Sequence, residues 1–218
     1  MTQNNNSTEL TADDFNWGVD TSEESFDSNR RVFSIVKDSE YYPNLIVNGV
    51  APQYYYEKKY NNPYSLKIIS GKKVDESTYF FTSVDATIQE YEEKLKFSQC
   101  NVIIIVPTTK QDLHLCPTIV GIANHISAKL NIPLSNALEK TIFRFGRGRS
   151  RKETHERIKD SMHVIDPNIK DKNVLLLDDV RTSGITTLEC AKILKEAGAK
   201  SIVSLYLGVH TSMIPTNT

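Results

Sequence analysis

Two adjacent carboxylates, Asp178 and Asp179, follow four apolar residues, Val174 to Leu177, and precede the hydroxyl-rich run Thr182-Ser183-Gly184-Ile185-Thr186. Four apolar residues in a row suit a central strand covered on both faces. Ligands of open parallel sheets collect just beyond the carboxyl ends of such strands. Neighbouring carboxylates there can accept hydrogen bonds from sugar hydroxyls. The loop after them offers side-chain hydroxyls, a glycine that lets backbone approach a ligand, and the amides that open a helix, which together make an anion site. A sugar at the acids and a phosphate at the loop is a self-consistent pose.

The elements that must position this segment can be read outward from it. A helical pattern covers residues 184–197 and stops at Gly198, and a last apolar strand covers 202–209. Upstream, residues 101–106 form a wholly apolar strand closed by Pro107. Residues 118–130 carry Ile119, Ile122, Ala123, Ile126 and Leu130 on one helical stripe. Residues 85–96 read as a further helix. Alternating apolar strands and helices predict an α/β fold, a doubly wound and mostly parallel sheet covered on both faces. Before it, short β-prone runs at 32–36, 45–47, 53–56, 64–69 and 78–84, separated by turn signals at Pro43, Pro63 and Gly71, predict a small β-rich N-terminal annex or hood. The expected organisation is a flexible acidic tail over 1–31, the annex with the elements at the mouth of the site over 32–100, and a core over 101–212.

Composition narrows the classes of function. The chain has 218 residues, 39% of them hydrophobic, and a net charge of −1. One full core can be buried at that size. Up to Arg31 there are seven acidic residues against two arginines, whereas the remainder carries 24 basic and 20 acidic residues, so the folded part favours an anionic ligand. Cys100, Cys116 and Cys190 are far apart and form no CxxC pair, which excludes a zinc ribbon or disulfide framework and leaves ordinary reduced thiols. The five histidines show no HxxxH or HxH spacing. The first residues lack a basic region and an apolar stretch, and no run approaches the ~18 apolar residues of a membrane span, so cytoplasmic residence is expected. In the tail, Phe15 and Trp17 are candidate docking residues. A receiver-domain reading of the paired acids fails because no Asp occurs after Asp179, and neither GxGxxG nor GxxxxGK is present.

The 13 residues VLLLDDVRTSGIT resemble the phosphoribosyl pyrophosphate (PRPP) binding motif of type I phosphoribosyltransferases at every defining position. Residues 102–110, VIIIVPTTK, fall where that family has the strand and turn that hold pyrophosphate, and Thr108, Thr109 and Lys110 would there offer amides and a cation; a plain turn is the other reading. RKETHERIKDSMHVID over 151–166 is similar to the Arg-rich segment of the ComF-like subgroup, and residues 54–73 resemble its hairpin at the mouth of the site. Two features depart from that subgroup. The zinc ribbon is replaced by an acidic tail, and QDLHLCP stands where an Arg- and Gly-rich stretch with an Asn-Gln pair is usual.

The resemblance implies a pentosyltransferase that binds PRPP and Mg²⁺ and passes the ribosyl 5-phosphate group to a nitrogenous base or amine, releasing pyrophosphate. It implies catalytic roles for Asp178, Asp179 and Lys110. PRPP would be bound by Thr108, Thr109, Lys110, Asp178, Asp179, Arg181, Thr182, Ser183, Gly184, Ile185 and Thr186. The same two acids would hold the metal indirectly, through substrate and water. The cluster of Arg144, Arg147, Arg149, Arg151 and Lys152 admits three roles: a pyrophosphate clamp centred on Arg147, Arg149 and Arg151, a nucleic-acid contact, or a solvated loop. A homodimer is compatible with the family. The competing reading is a regulator that keeps the PRPP pocket without catalysis.

Overall fold

The computed structural model describes residues 31–107, 116–140 and 150–210. Nine strands and five α-helices are formed among these residues. The chain begins with a hairpin, β1 (Val32–Asp38) and β2 (Tyr42–Ala51), followed across Pro52 by the short β3 (Gln53–Tyr55). Two helices come next, α1 (Pro63–Ser70) and α2 (Ser77–Leu95). Then follow β4 (Val102–Ile105), α3 (Pro117–Leu130), β5 (Leu134–Ser135) and β6 (Leu138–Lys140). The remainder is α4 (Arg151–Ile158), β7 (Met162–Val164), β8 (Asn173–Arg181), α5 (Ile185–Glu196) and β9 (Ser201–His210).

The main sheet runs β1-β2-β9-β8-β4-β5, with β3 also lying along β9. Only the β1–β2 pair is antiparallel; β2, β3, β9, β8, β4 and β5 run parallel. The α/β fold with a mostly parallel sheet and a β-rich N-terminal region is therefore present. The strands β6 and β7 form a separate antiparallel pair.

Alternation along β8 sends its side chains to two cores. Val174 and Leu176 pack with Ile185, Leu188, Ala191 and Leu194 of α5. Leu175 and Leu177 pack with Ile68, Phe80, Val84, Ile119 and Ile122 of the helices on the opposite face. Thus α3 returns the chain from β4 outward to β5 on one face, and α5 returns it from β8 outward to β9 on the other. The connections diverge between β4 and β8, which is the switch point where open α/β sheets leave a crevice at the strand ends.

Two predicted strands are helices. Residues 64–69 belong to α1: Asn62 accepts a hydrogen bond from Ser65 N at 2.9 Å, and Pro63 occupies the first helical position. A side-chain cap and a pre-set proline φ at the start favour helix over the β-branched pair Ile68-Ile69. Residues 78–84 are the first half of α2, where Phe80, Val84 and Ile88 are buried at helical spacing. The same observation removes the hairpin expected over residues 54–73. Elsewhere the predicted helices and strands of the sheet are found within a few residues, including α5, which ends before Gly198 at φ +92°.

Candidate functional site

The acid pair lies inside β8 rather than beyond it, because pairing with β9 continues through Asp178↔Tyr206, Val180↔Gly208 and Arg181↔Val209. Strand alternation starts the two side chains toward opposite faces, yet their carboxyl groups stay close enough to act on each other. Asp178 follows Val174 and Leu176 toward the α5 side, where its charge acts on Cys190 and Tyr206. Asp179 follows Leu175 and Leu177 toward the α1–α3 side. Both also engage their own backbone: Asp179 N donates to Asp178 Oδ1 at 2.8 Å and Val180 N donates to Asp179 Oδ1 at 2.7 Å. These short contacts fix the carboxylates before any ligand arrives.

Burial, and then the neighbouring charge of Asp179, push the Asp178 carboxyl above the usual carboxylate range, against the pull of the Asp179 amide and of Lys72. Lys72 is the residue that sequence reasoning missed. Its ammonium forms an ion pair with Asp179, and its side chain is 48% exposed. Burial, the largest single influence, would lower its pKa. The charge and hydrogen bond of Asp179 and the charge of Asp178 together outweigh burial and leave it above the ordinary lysine value. No local signal marks Lys72 in the sequence, since the pairing depends on how the α1–α2 turn docks.

That docking is built from α3. Thr118 Oγ1 accepts from Glu76 N at 2.8 Å and donates to Val74 O at 3.2 Å, and Cys116 Sγ donates to Gly71 O at 3.1 Å. Gly71 lies so close that a Cβ there would stand 2.5 Å from Thr118 Oγ1. Three contacts from the start of α3 therefore seat the turn that carries Lys72.

The loop after β8 presents an exposed Thr182 and a half-buried Ser183, with Thr186 half-buried in the first turn of α5. Gly184 occupies the cap position of α5 at φ +76°, with no side chain to cap the helix. Both the backbone and the space require glycine there, because an added Cβ would run into Val36. Ser183 Oγ accepts from Ile185 N at a long 3.4 Å. The α5 N-terminus so left is a ready anion site.

The other predicted residues divide. Ile185 is a core side chain, 1% exposed, and contributes at most its backbone. Arg181 is also 1% exposed, and its charge acts on the buried Tyr206 phenol. It is thus walled in beside α5 instead of lying in an open loop. Thr108, Thr109, Lys110, Arg144, Arg147 and Arg149 lie outside the described residues. Arg151 opens α4, whose start is capped by Ser150 accepting from Glu153 N at 3.1 Å. The cysteines are free thiols, with Cys100 and Cys190 buried.

The acids of β8, the cap of α5 and the start of α3 all sit at the switch point, and the family comparison covers the same stretch. Residues 116–208 match the phosphoribosyl transferase domain. A curated relative, the ribose-phosphate pyrophosphokinase of Thermococcus kodakarensis, is 44% identical over 41 residues, which is 19% of this chain. The chain spans 15% of that relative's length.

Among solved structures, the purine phosphoribosyltransferase from Pyrococcus horikoshii Ot3 is 24% identical, with 59% of this chain and 83% of that one covered at a TM-score of 0.37. The allosteric regulatory enzyme of purine biosynthesis is 18% identical, with 84% of this chain and 32% of that one covered at a TM-score of 0.38. The fold described above rests on the chain's own strand order. No described helix is long and apolar enough to cross a membrane.

Proposed function

We propose that this chain is a phosphoribosyltransferase that binds PRPP with Mg²⁺ and transfers the ribosyl 5-phosphate group to a nitrogenous acceptor, releasing pyrophosphate. The observation that carries the reading is one juxtaposition: the Asp178–Asp179 pair and the glycine-capped start of α5, both within the matched residues, at the switch point of a parallel sheet. The partial match to a ribose-phosphate pyrophosphokinase, a protein whose name contains the same sugar phosphate, supports the substrate class.

In this reading Thr182, Ser183, Gly184 and Thr186 hold the 5-phosphate, while Asp178 and Asp179 accept hydrogen bonds from the ribose hydroxyls. As the bond from the anomeric carbon to pyrophosphate lengthens, positive charge grows on the sugar ring. Carboxylates already fixed by backbone amides stabilise that charge without reorganising. The α5 amides meanwhile keep the sugar from moving with the departing group.

The donor set fits Mg²⁺ in a particular way. Among the described residues no group of three or more His, Cys, Asp or Glu side chains converges, and Asp179 is engaged by Lys72. Two carboxylates suit an ion that brings most of its ligands as phosphate and water oxygens. When bound, Mg²⁺ would neutralise charge on the pyrophosphate.

The test is to incubate the chain with PRPP, Mg²⁺ and a panel of bases and amines, with pyrophosphatase converting the product to phosphate. Acceptor-dependent phosphate release is expected, and Asp178→Asn with Asp179→Asn should abolish it together with PRPP binding. Binding without turnover across a broad panel supports a PRPP-sensing regulator instead. Unchanged PRPP affinity in the double variant sinks the site assignment.

A further inference from the structure

Lys72 is the one cation that the described structure seats on the acid pair, and three features determine what it does there. Its ammonium meets Asp179 and its side chain is 48% exposed, so the head group has room to leave. The turn beneath it is pinned by Thr118 and Cys116, so its backbone stays put while the four-carbon stem swings. Asp178 reaches this cation through its charge, whereas Asp179 makes the direct ion pair and hydrogen bond with it. A sugar whose hydroxyls donate to the same carboxylate must therefore compete with the ammonium.

Resting on the PRPP reading above, we propose that Lys72 is an exchangeable latch that makes the site select a sugar phosphate bearing pyrophosphate at its anomeric carbon over a sugar monophosphate. In the ligand-free protein the ammonium satisfies Asp179. When the ribose 2-hydroxyl takes over the carboxylate, the ammonium is released next to the adjacent anomeric carbon, and there it meets the pyrophosphate of PRPP. Ribose 5-phosphate displaces the same ammonium and offers it no anion at that carbon. The latch thus penalises the monophosphate and is repaid only by the pyrophosphorylated sugar.

Calorimetric titration of the full chain with PRPP and with ribose 5-phosphate, both in Mg²⁺, tests this against Lys72→Met and Lys72→Arg. Lys72→Met should weaken PRPP binding about tenfold, the usual scale for one charge-assisted contact, and leave ribose 5-phosphate binding equal or tighter. Lys72→Arg should keep most of the preference for PRPP. A preference for PRPP that survives unchanged in Lys72→Met overturns the latch alone. Equal losses for both ligands in Lys72→Met, with no recovery in Lys72→Arg, overturn it in favour of a purely structural lysine. A wild-type chain that binds neither ligand overturns the PRPP reading and the latch together, so the two failures are distinguishable.

Discussion

Asp178 shows how a residue proposed to hold the sugar can cost the fold stability. Its carboxyl is held above the usual carboxylate range by burial and by Asp179. The folded chain therefore keeps that proton to a higher pH than the unfolded chain does. Between the ordinary carboxylate pKa and the raised one, the folded state binds more protons and stability falls as pH rises. Asp178→Asn removes this penalty. At pH 8 the variant should melt higher than wild type by about 2–4 °C, the response to roughly 1 kcal/mol in a domain of this size, and the gap should close toward pH 4. Differential scanning calorimetry across that range checks it; a gap independent of pH would mean that some other interaction of Asp178 decides the outcome.

Among the elements, the start of α3 matters more than its amphipathic stripe suggests. Thr118 is 1% exposed and its hydroxyl both accepts from Glu76 N and donates to Val74 O. Thr118→Val preserves the shape and deletes both bonds. It should cost about 1 kcal/mol in chemical denaturation, because the partly buried Glu76 amide loses its acceptor. The same variant should weaken the preference for PRPP over ribose 5-phosphate, since the turn that carries Lys72 is no longer seated. A loss of stability with an intact preference would separate the seating of the turn by Thr118 from the proposed latch. The stripe of α3 and the apolar run of β8 were legible in the sequence because each repeats a period that burial enforces. The helix α1 and the first half of α2 were not, because Tyr64, Ile68 and Ile69, or Tyr79, Phe80 and Phe81, satisfy a strand composition as well as a helix face. What decides between them is a cap at Asn62 and the core formed with α3. The acids and the loop were legible for the same reason as β8, being local. Lys72 and the burial of Arg181 were not, because both arise from contacts made across the sheet.

The whole molecule closes on β9, which lies between β2 and β8 and also carries β3. It supplies Leu205 and Leu207 to one core and Tyr206 and Val209 to the other. A ribosome makes this chain in order, so the two halves of the main sheet wait for a middle that is translated after them. Until residues 201–210 leave the exit tunnel, the hairpin β1–β2 has no partner on its inner edge and β8 is open along one side. Nascent chains arrested with residue 200 at the tunnel mouth should be cut rapidly by a protease, and chains extended so that β9 has emerged should become resistant in a single step. A gradual gain of resistance as β4 and β8 emerge would contradict this. For such a topology, the moment of exposure to chaperones and to aggregation is set by the timing of translation rather than by the final stability of the fold.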